Sequence, residues 1–191
     1  EVTEQKLVTT VEIPLRVYQV TPEGSLASGS VTPEAAKELG DALKAQLLAA
    51  IKSGGPIAAI PVCNTVAPAI ASAVSGQRGM TVGRTALKVR NPANAPDAFE
   101  RRVLENFATQ MAAGADPAKL EYAETVSENG SPAFRYMKAI PMAAEPCAAC
   151  HGTDVQPDVK DAITKLYPKD EATGFKPGEL RGAFSIRQAA K

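Results

Sequence analysis

One five-residue pattern, Cys147-Ala-Ala-Cys150-His151, constrains this chain more than any other feature of its sequence. Two thiols at this spacing can form thioether bonds with the two vinyl groups of haem, and the adjacent imidazole can then reach the iron. A structural zinc site needs about four nitrogen or sulfur ligands, whereas the chain has three cysteines and one histidine. A redox-active dithiol usually opens a helix in a thioredoxin-like unit, and no such unit precedes Cys147. The pattern therefore predicts one haem c, attached through Cys147 and Cys150 with His151 as its proximal ligand.

The second axial position has several candidate ligands. Because His151 is the only histidine, two imidazoles of one molecule cannot bind the iron, which leaves Met, Cys, Lys, Tyr, an amino terminus, water or no ligand. The sulfur-bearing candidates are Cys63 and the four methionines, Met80, Met111, Met137 and Met142. An unpaired cysteine in an apolar segment is most often a buried free thiol. If Pro61 opens a helix, however, Cys63 lies in its first turn, where the helix dipole favours a thiolate.

Length and charge limit the classes of protein that the chain can belong to. Its 191 residues suit one domain (1–191), in which we expect the N-terminal residues 1–32 to be partly irregular. Basic and acidic residues number 21 each, so nothing in the charge favours binding to nucleic acid or to an anionic membrane. No run approaches the roughly 18 uninterrupted apolar residues of a membrane span. The first residues also lack a signal-peptide pattern, so an exported protein would be present here in its mature form or in a shortened one.

The periodicity of the sequence predicts a mixed α+β domain. We expect helices from Thr32 to Gly54-Gly55, from Asp97 to about Gly114, and over 159–166. Two alternating runs around Asn129-Gly130 predict a β-hairpin, and residues 182–187 predict a final strand. Glycine, proline and asparagine mark 76–97 as a loop with a short strand near 85–90. The apolar segment 7–20 is interrupted by Pro14 and fits either a helix end or an edge strand.

Four stretches of the chain match a known family, and together they span roughly residues 33 to 187: 61–68, 90–97, 147–152 and 172–186. In this order they make the chain resemble a small family of single-haem c-type cytochromes with a PAS-like fold, first described from a cyanobacterium. The resemblance implies a central antiparallel sheet flanked by helices, with Cys63 and His151 as the two axial ligands of the iron. Phe99 stands where the family often has tryptophan, which affects packing rather than ligation.

Arg90 is the candidate partner of a haem propionate, because a guanidinium matches the fork of a carboxylate. An exposed surface arginine is an equally good interpretation of Arg90. Arg84 and Arg135 are weaker candidates for the same contact.

Two classes of function agree with these predictions. A haem with both axial positions filled by protein suits electron transfer with a redox partner protein, which remains unidentified. The alternative, a haem-based redox or gas sensor, has only the analogy of PAS-like folds behind it. We expect no enzymatic activity such as that of a peroxidase, since no second histidine can act as a distal base, although a glutamate or an arginine can substitute for it. Covalent haem attachment occurs outside the bacterial cytoplasm, so the periplasm is the expected location.

Overall fold

The structure, a computed structural model, describes residues 31–189. Its centre is one antiparallel sheet with the strand order β1-β4-β3-β2. The strands are β1 (Thr81–Thr85), β2 (Glu121–Glu128), β3 (Ser131–Pro141) and β4 (Leu180–Ala189). The hairpin and the final strand are confirmed, and both hairpin-turn residues, Asn129 and Gly130, have positive φ. The segment 7–20 lies outside the described residues.

The helices are α1 (Val31–Pro61), α2 (Ala67–Arg78), α3 (Ala98–Ala112), α4 (Ala148–His151) and α5 (Pro157–Leu166). A π-helical turn, Val62–Val66, joins α1 to α2, and short 3₁₀ turns cover Pro92–Asn94 and Pro117–Lys119. The helices predicted before Gly54-Gly55, after Asp97 and near 159–166 are all confirmed. Gly54 and Gly55 leave helical geometry inside α1, so this element consists of two helical pieces. Asp97 and Glu100 form the predicted capping box of α3.

Helices cover both faces of the sheet, because successive residues of a strand point to opposite faces. On one face, Tyr136 and Ile186 join a core with Leu39 of α1 and Val74 of α2. The other face packs against α3. The buried residues of this second core are Val103, Leu104, Phe107, Leu120, Met137, Ala139 and Ala183. The predicted α+β class is confirmed, with a four-stranded antiparallel sheet between helices.

The strand predicted near residues 85–90 lies earlier in the chain, at Thr81–Thr85. In that strand Val82 is buried, and each residue pairs with β4, as Val82 does with Ile186. Pairing with β4 ends at Thr85. The prediction was wrong because strand preference depends on cross-strand partners that are distant in sequence.

The helical stretch Pro33–Arg78 is long and apolar enough to cross a membrane by length and composition alone. Part of it packs against the sheet, since Leu39 and Val74 are buried in the core described above. A buried core helix and a signal sequence near an amino terminus both pass the same test, so the expected absence of a membrane span stays a prediction.

Gly182 lets β1 and β4 approach each other closely. A Cβ at this position would lie 2.5 Å from the carbonyl oxygen of Thr85, whereas a Cβ at Gly83, in the same strand pair, would meet no atom within 4 Å. We expect Gly182→Ala to lower the free energy of unfolding by about 1–3 kcal/mol, because backbone must move to make room. Gly83→Ala is the matched control and should change it by less than about 0.5 kcal/mol. Equal unfolding midpoints for the two variants in denaturant would contradict this close approach.

Candidate functional site

A cavity of about 220 Å³ lies where both pieces of α1, the end of β1, the end of β3, the start of β4 and the segment around α4 meet. All three cysteines and the single histidine of the chain line it: Cys63, Cys147, Cys150 and His151. Cys63 is 84 positions away from Cys147, the first residue of the CAACH motif, so the fold brings Cys63 and the motif together. None of the three cysteines forms a disulfide.

The segment that carries the two neighbouring cysteines is a single tight turn. Cys147 precedes the four-residue helix α4, and its carbonyl accepts a hydrogen bond from the amide of His151 at 2.9 Å. The chain then turns sharply at Gly152, where a Cβ would lie 2.6 Å from the carbonyl oxygen of Ala148. Only glycine fits there without a shift of backbone. The turn therefore presents two thiols and one imidazole to the same cavity.

His151 is held in one tautomer by the chain that follows α5. Its Nδ1 lies 2.7 Å from the carbonyl oxygen of Ala172, and since a carbonyl can only accept, Nδ1 carries the proton. Burial, followed by the positive charges of Arg181 and Arg90, lowers the pKa of His151 well below its ordinary value. The imidazole is therefore neutral with an electron pair on Nε2. This is the form in which histidine binds a metal, and a backbone carbonyl is a common orienting partner.

Arg90 and Asp170 hold the segment that orients His151. Arg90 Nε and Nη2 donate to the two carboxylate oxygens of Asp170, each at 3.1 Å. Nη2 also donates to the carbonyl oxygens of Cys150 at 2.6 Å and Ala172 at 3.3 Å. Asp170 in turn accepts from the amide of Ala172 at 2.9 Å. This pair therefore connects the cysteine turn to the carbonyl that receives the His151 proton, and we call it the Arg90–Asp170 clamp.

Arg90 lies in the cavity wall, as a propionate partner would, but its observed hydrogen bonds go to protein. Arg90 is only 8% exposed, so the interpretation of Arg90 as an exposed surface arginine is wrong. Its contact with a propionate stays a prediction.

Cys63 lies on the π-helical turn that joins α1 to α2. The helix does not begin at Pro61, whose backbone is helical and continues α1, so the argument from a first-turn dipole is wrong. The second piece of α1 follows Gly54 and Gly55, and Cys63 lies seven residues after Pro56, which is beyond the first turn of that piece. The wider turn is explained by Pro68, which has no N–H to donate to the carbonyl of Asn64.

The competing sulfur ligands lie elsewhere. All four methionines belong to the described part of the chain, and none lines the cavity. Met80 and Met137 are buried on opposite faces of the sheet, and Met142 packs with Ala172 and Phe175. Met111 belongs to α3 and packs against the core between that helix and the sheet. Of the sulfur candidates, only Cys63 shares the cavity with His151.

Arg135, a weaker propionate candidate, does not line the cavity either. Its side chain is 6% exposed and donates to Asp97 and Glu128, each at 2.8 Å. Its guanidinium also lies over the ring of Phe99 at 4.5 Å. Arg135 therefore joins α3 to the sheet, and its proposed propionate contact is wrong.

Two functional candidates, Arg181 and Tyr167, were missed in the sequence because no local pattern marks them. Both line the cavity together with Arg84. The Nε of Arg181 is buried with no hydrogen-bond partner among the described residues. A buried N–H without a partner is costly, and an acidic group in the cavity would satisfy it. The neutral His151, the thiols and this unpaired donor fit a haem, whose carboxylates can accept hydrogen bonds.

Comparisons with known proteins show the family and the fold of the chain. The Tll0287-like family model matches residues 6–189. The chain belongs to the Tll0287-like family. In fold it is similar to the crystal structure of the cyanobacterial heme-protein Tll0287, with a TM-score of 0.55 and 24% sequence identity. That match covers 83% of this chain and 97% of the other. The comparison with curated proteins gives no match. The family resemblance inferred from four stretches of sequence is confirmed.

Proposed function

We propose that this member of the Tll0287-like family is a monohaem c-type cytochrome that transfers electrons. Thioether bonds from Cys147 and Cys150 would attach the haem, and His151 and Cys63 would be its axial ligands. One observation carries the proposal: a single cavity collects every cysteine and the only histidine of the chain. The similar protein Tll0287 is described as a heme-protein, which supports the cofactor. The helix-flanked antiparallel sheet supports a PAS-like fold.

Each residue around the cavity has a distinct role in this proposal. The haem, when bound, supplies a reversible one-electron couple. His151 offers Nε2 while Ala172 keeps its ring oriented, and Cys63 offers a sulfur from the helical wall of the cavity. With His151 and Cys63 as axial ligands, no position on the iron would be left for a substrate, which would favour electron exchange over catalysis. The protein would work in an exported compartment such as the periplasm, where haem c is attached, with a redox partner protein.

The attachment is tested with cysteine variants made in cells that mature c-type cytochromes. We expect Cys147→Ala and Cys150→Ala each to leave one thioether at most, which shifts the pyridine haemochrome band, and the double variant to retain no covalent haem. Cys63→Ala is the matched control, because it removes a cavity thiol without removing an attachment site. It should keep the band of two thioethers. Haem that survives denaturation and acid-acetone extraction in the double variant would refute the attachment.

A further inference from the structure

Three arginines line the cavity: Arg84, Arg90 and Arg181. Its lining, within the described residues, includes no aspartate, glutamate or lysine. Asp170 is ion-paired with Arg90 and so balances one of the three positive charges. Two guanidinium charges therefore face a mostly apolar space without a protein counter-charge. Such charges are costly to bury, so the composition of the cavity indicates an anionic occupant.

The two cavity arginines without an ion-pair partner among the described residues are Arg84 and Arg181, and the structure gives more contacts for Arg181. It lies near the start of β4, where its Nη1 donates to the carbonyl oxygen of Lys88 at 3.3 Å and its guanidinium lies over the ring of Phe175 at 5.3 Å. These contacts fix the plane of the guanidinium but leave the buried Nε without a partner. Burial, followed by the nearby charges of Arg90 and Arg84, lowers the pKa of Arg181 to about 10. The nearby Asp170 opposes this lowering of the pKa, and the side chain is still charged at neutral pH, with an Nε that has no acceptor among the described residues.

Arg84 approaches the same cavity from β1. Among residues 31–189 the structure gives its guanidinium neither a hydrogen-bond acceptor nor an ion-pair partner. Burial lowers the pKa of Arg84, and the nearby Cys63 and Tyr167 oppose that change. Arg84 and Arg181 both act on His151, whose pKa is lowered first by burial and then by the charges of Arg181, Arg90 and Arg84, and both line the cavity that contains it.

We propose that Arg84 and Arg181 bind the two propionate carboxylates of the haem, with Arg181 donating through Nε. This inference rests on the proposed function, since it concerns the same cofactor. Two carboxylates would balance the two positive charges of the cavity that have no ion-pair partner in the described part of the chain. A guanidinium also binds a carboxylate with good geometry. Arg90 then acts as a structural residue of the clamp, and the propionates are left to the two arginines that lack acidic partners.

The test uses the mature holoprotein and its Arg84→Leu, Arg181→Leu and Arg181→Lys variants. We expect each leucine variant to shift the propionate bending mode in the resonance Raman spectrum. Loss of one nearby positive charge should also lower the ferrous-to-ferric ratio at a fixed potential about tenfold, equivalent to about 59 mV. Arg181→Lys keeps the charge but not Nε, so it should shift the Raman mode and change the ratio less than about twofold. The exposed Arg101→Leu on α3 is the control and should change neither property.

Three results would overturn the assignment. Unchanged propionate modes in both leucine variants, with haem covalently bound, would refute it while leaving the proposed function intact. A midpoint potential of the wild-type protein that varies with inorganic phosphate, at constant ionic strength, would show that the arginines bind a free anion instead. If a leucine variant fails to mature, Arg181→Lys supplies the Raman result, and an unchanged mode there refutes the role of Nε. A wild-type protein without covalent haem would refute the proposed function itself.

Discussion

Replacement of Cys63 by methionine is expected to raise the midpoint potential of the protein by about 200 mV or more. A thiolate at Cys63 would place a negative charge beside the iron, inside a cavity lined mainly by apolar groups. Addition of an electron next to that charge is unfavourable where charge is poorly solvated. Methionine keeps a sulfur ligand and removes the charge, so the equilibrium constant for reduction of the iron should rise roughly a thousandfold.

Potentiometry and EPR spectroscopy of the ferric protein check this expectation. Cys63→Ala should change the g-values and leave water or an open position on the iron. Thr65→Ala is a suitable control, because this exposed residue belongs to the same π-helical turn, does not line the cavity, and donates only to the carbonyl of Pro61. It should keep the wild-type g-values and potential. Identical g-values and potentials for Cys63→Ala and wild type would show that Cys63 is a buried thiol.

The sequence was sufficient for features that depend on neighbouring residues. The capping box at Asp97 and the Asn129-Gly130 hairpin both follow from local chemistry within a few positions. The family resemblance added the pairing of Cys63 with His151, and both residues do line one cavity. Spacing alone could not have singled out Cys63, since four methionines were equally available until their burial elsewhere was known.

The features that sequence could not provide depend on contacts between distant segments. Arg90 and Asp170 are 80 positions apart, and only the folded chain shows that they pair. Arg181 is an ordinary strand residue in the sequence, and its importance follows from its burial and from one donor without an acceptor. Nothing in the sequence favours Arg84 over Arg135 as a propionate partner, yet the structure places only Arg84 in the cavity. Arg135 instead forms ion pairs with acidic residues at the start of α3 and in the hairpin.

The Arg90–Asp170 clamp provides the second large effect. Both side chains are nearly buried, at 9% and 10% exposure. Arg90→Leu would leave the Asp170 carboxylate buried without its counter-charge, and the carbonyls of Cys150 and Ala172 would lose a donor. We expect the free energy of unfolding of the holoprotein to fall by about 3–5 kcal/mol. Because Ala172 also orients His151, the ferric EPR signal should broaden or shift as well.

A double-variant cycle measures the interaction energy between Arg90 and Asp170. Arg90→Leu with Asp170→Leu should be less destabilised than the sum of the two single variants, because neither charge is then left alone. Arg78 and Glu38 form the matched control: they make a similar arginine–carboxylate contact at 2.8 Å, but their side chains are 33% and 36% exposed. Arg78→Leu should therefore cost less than about 1 kcal/mol. Equal losses for Arg78→Leu and Arg90→Leu in denaturant unfolding, with an unchanged EPR signal, would show that the clamp neither stabilises the fold beyond a surface pair nor positions His151.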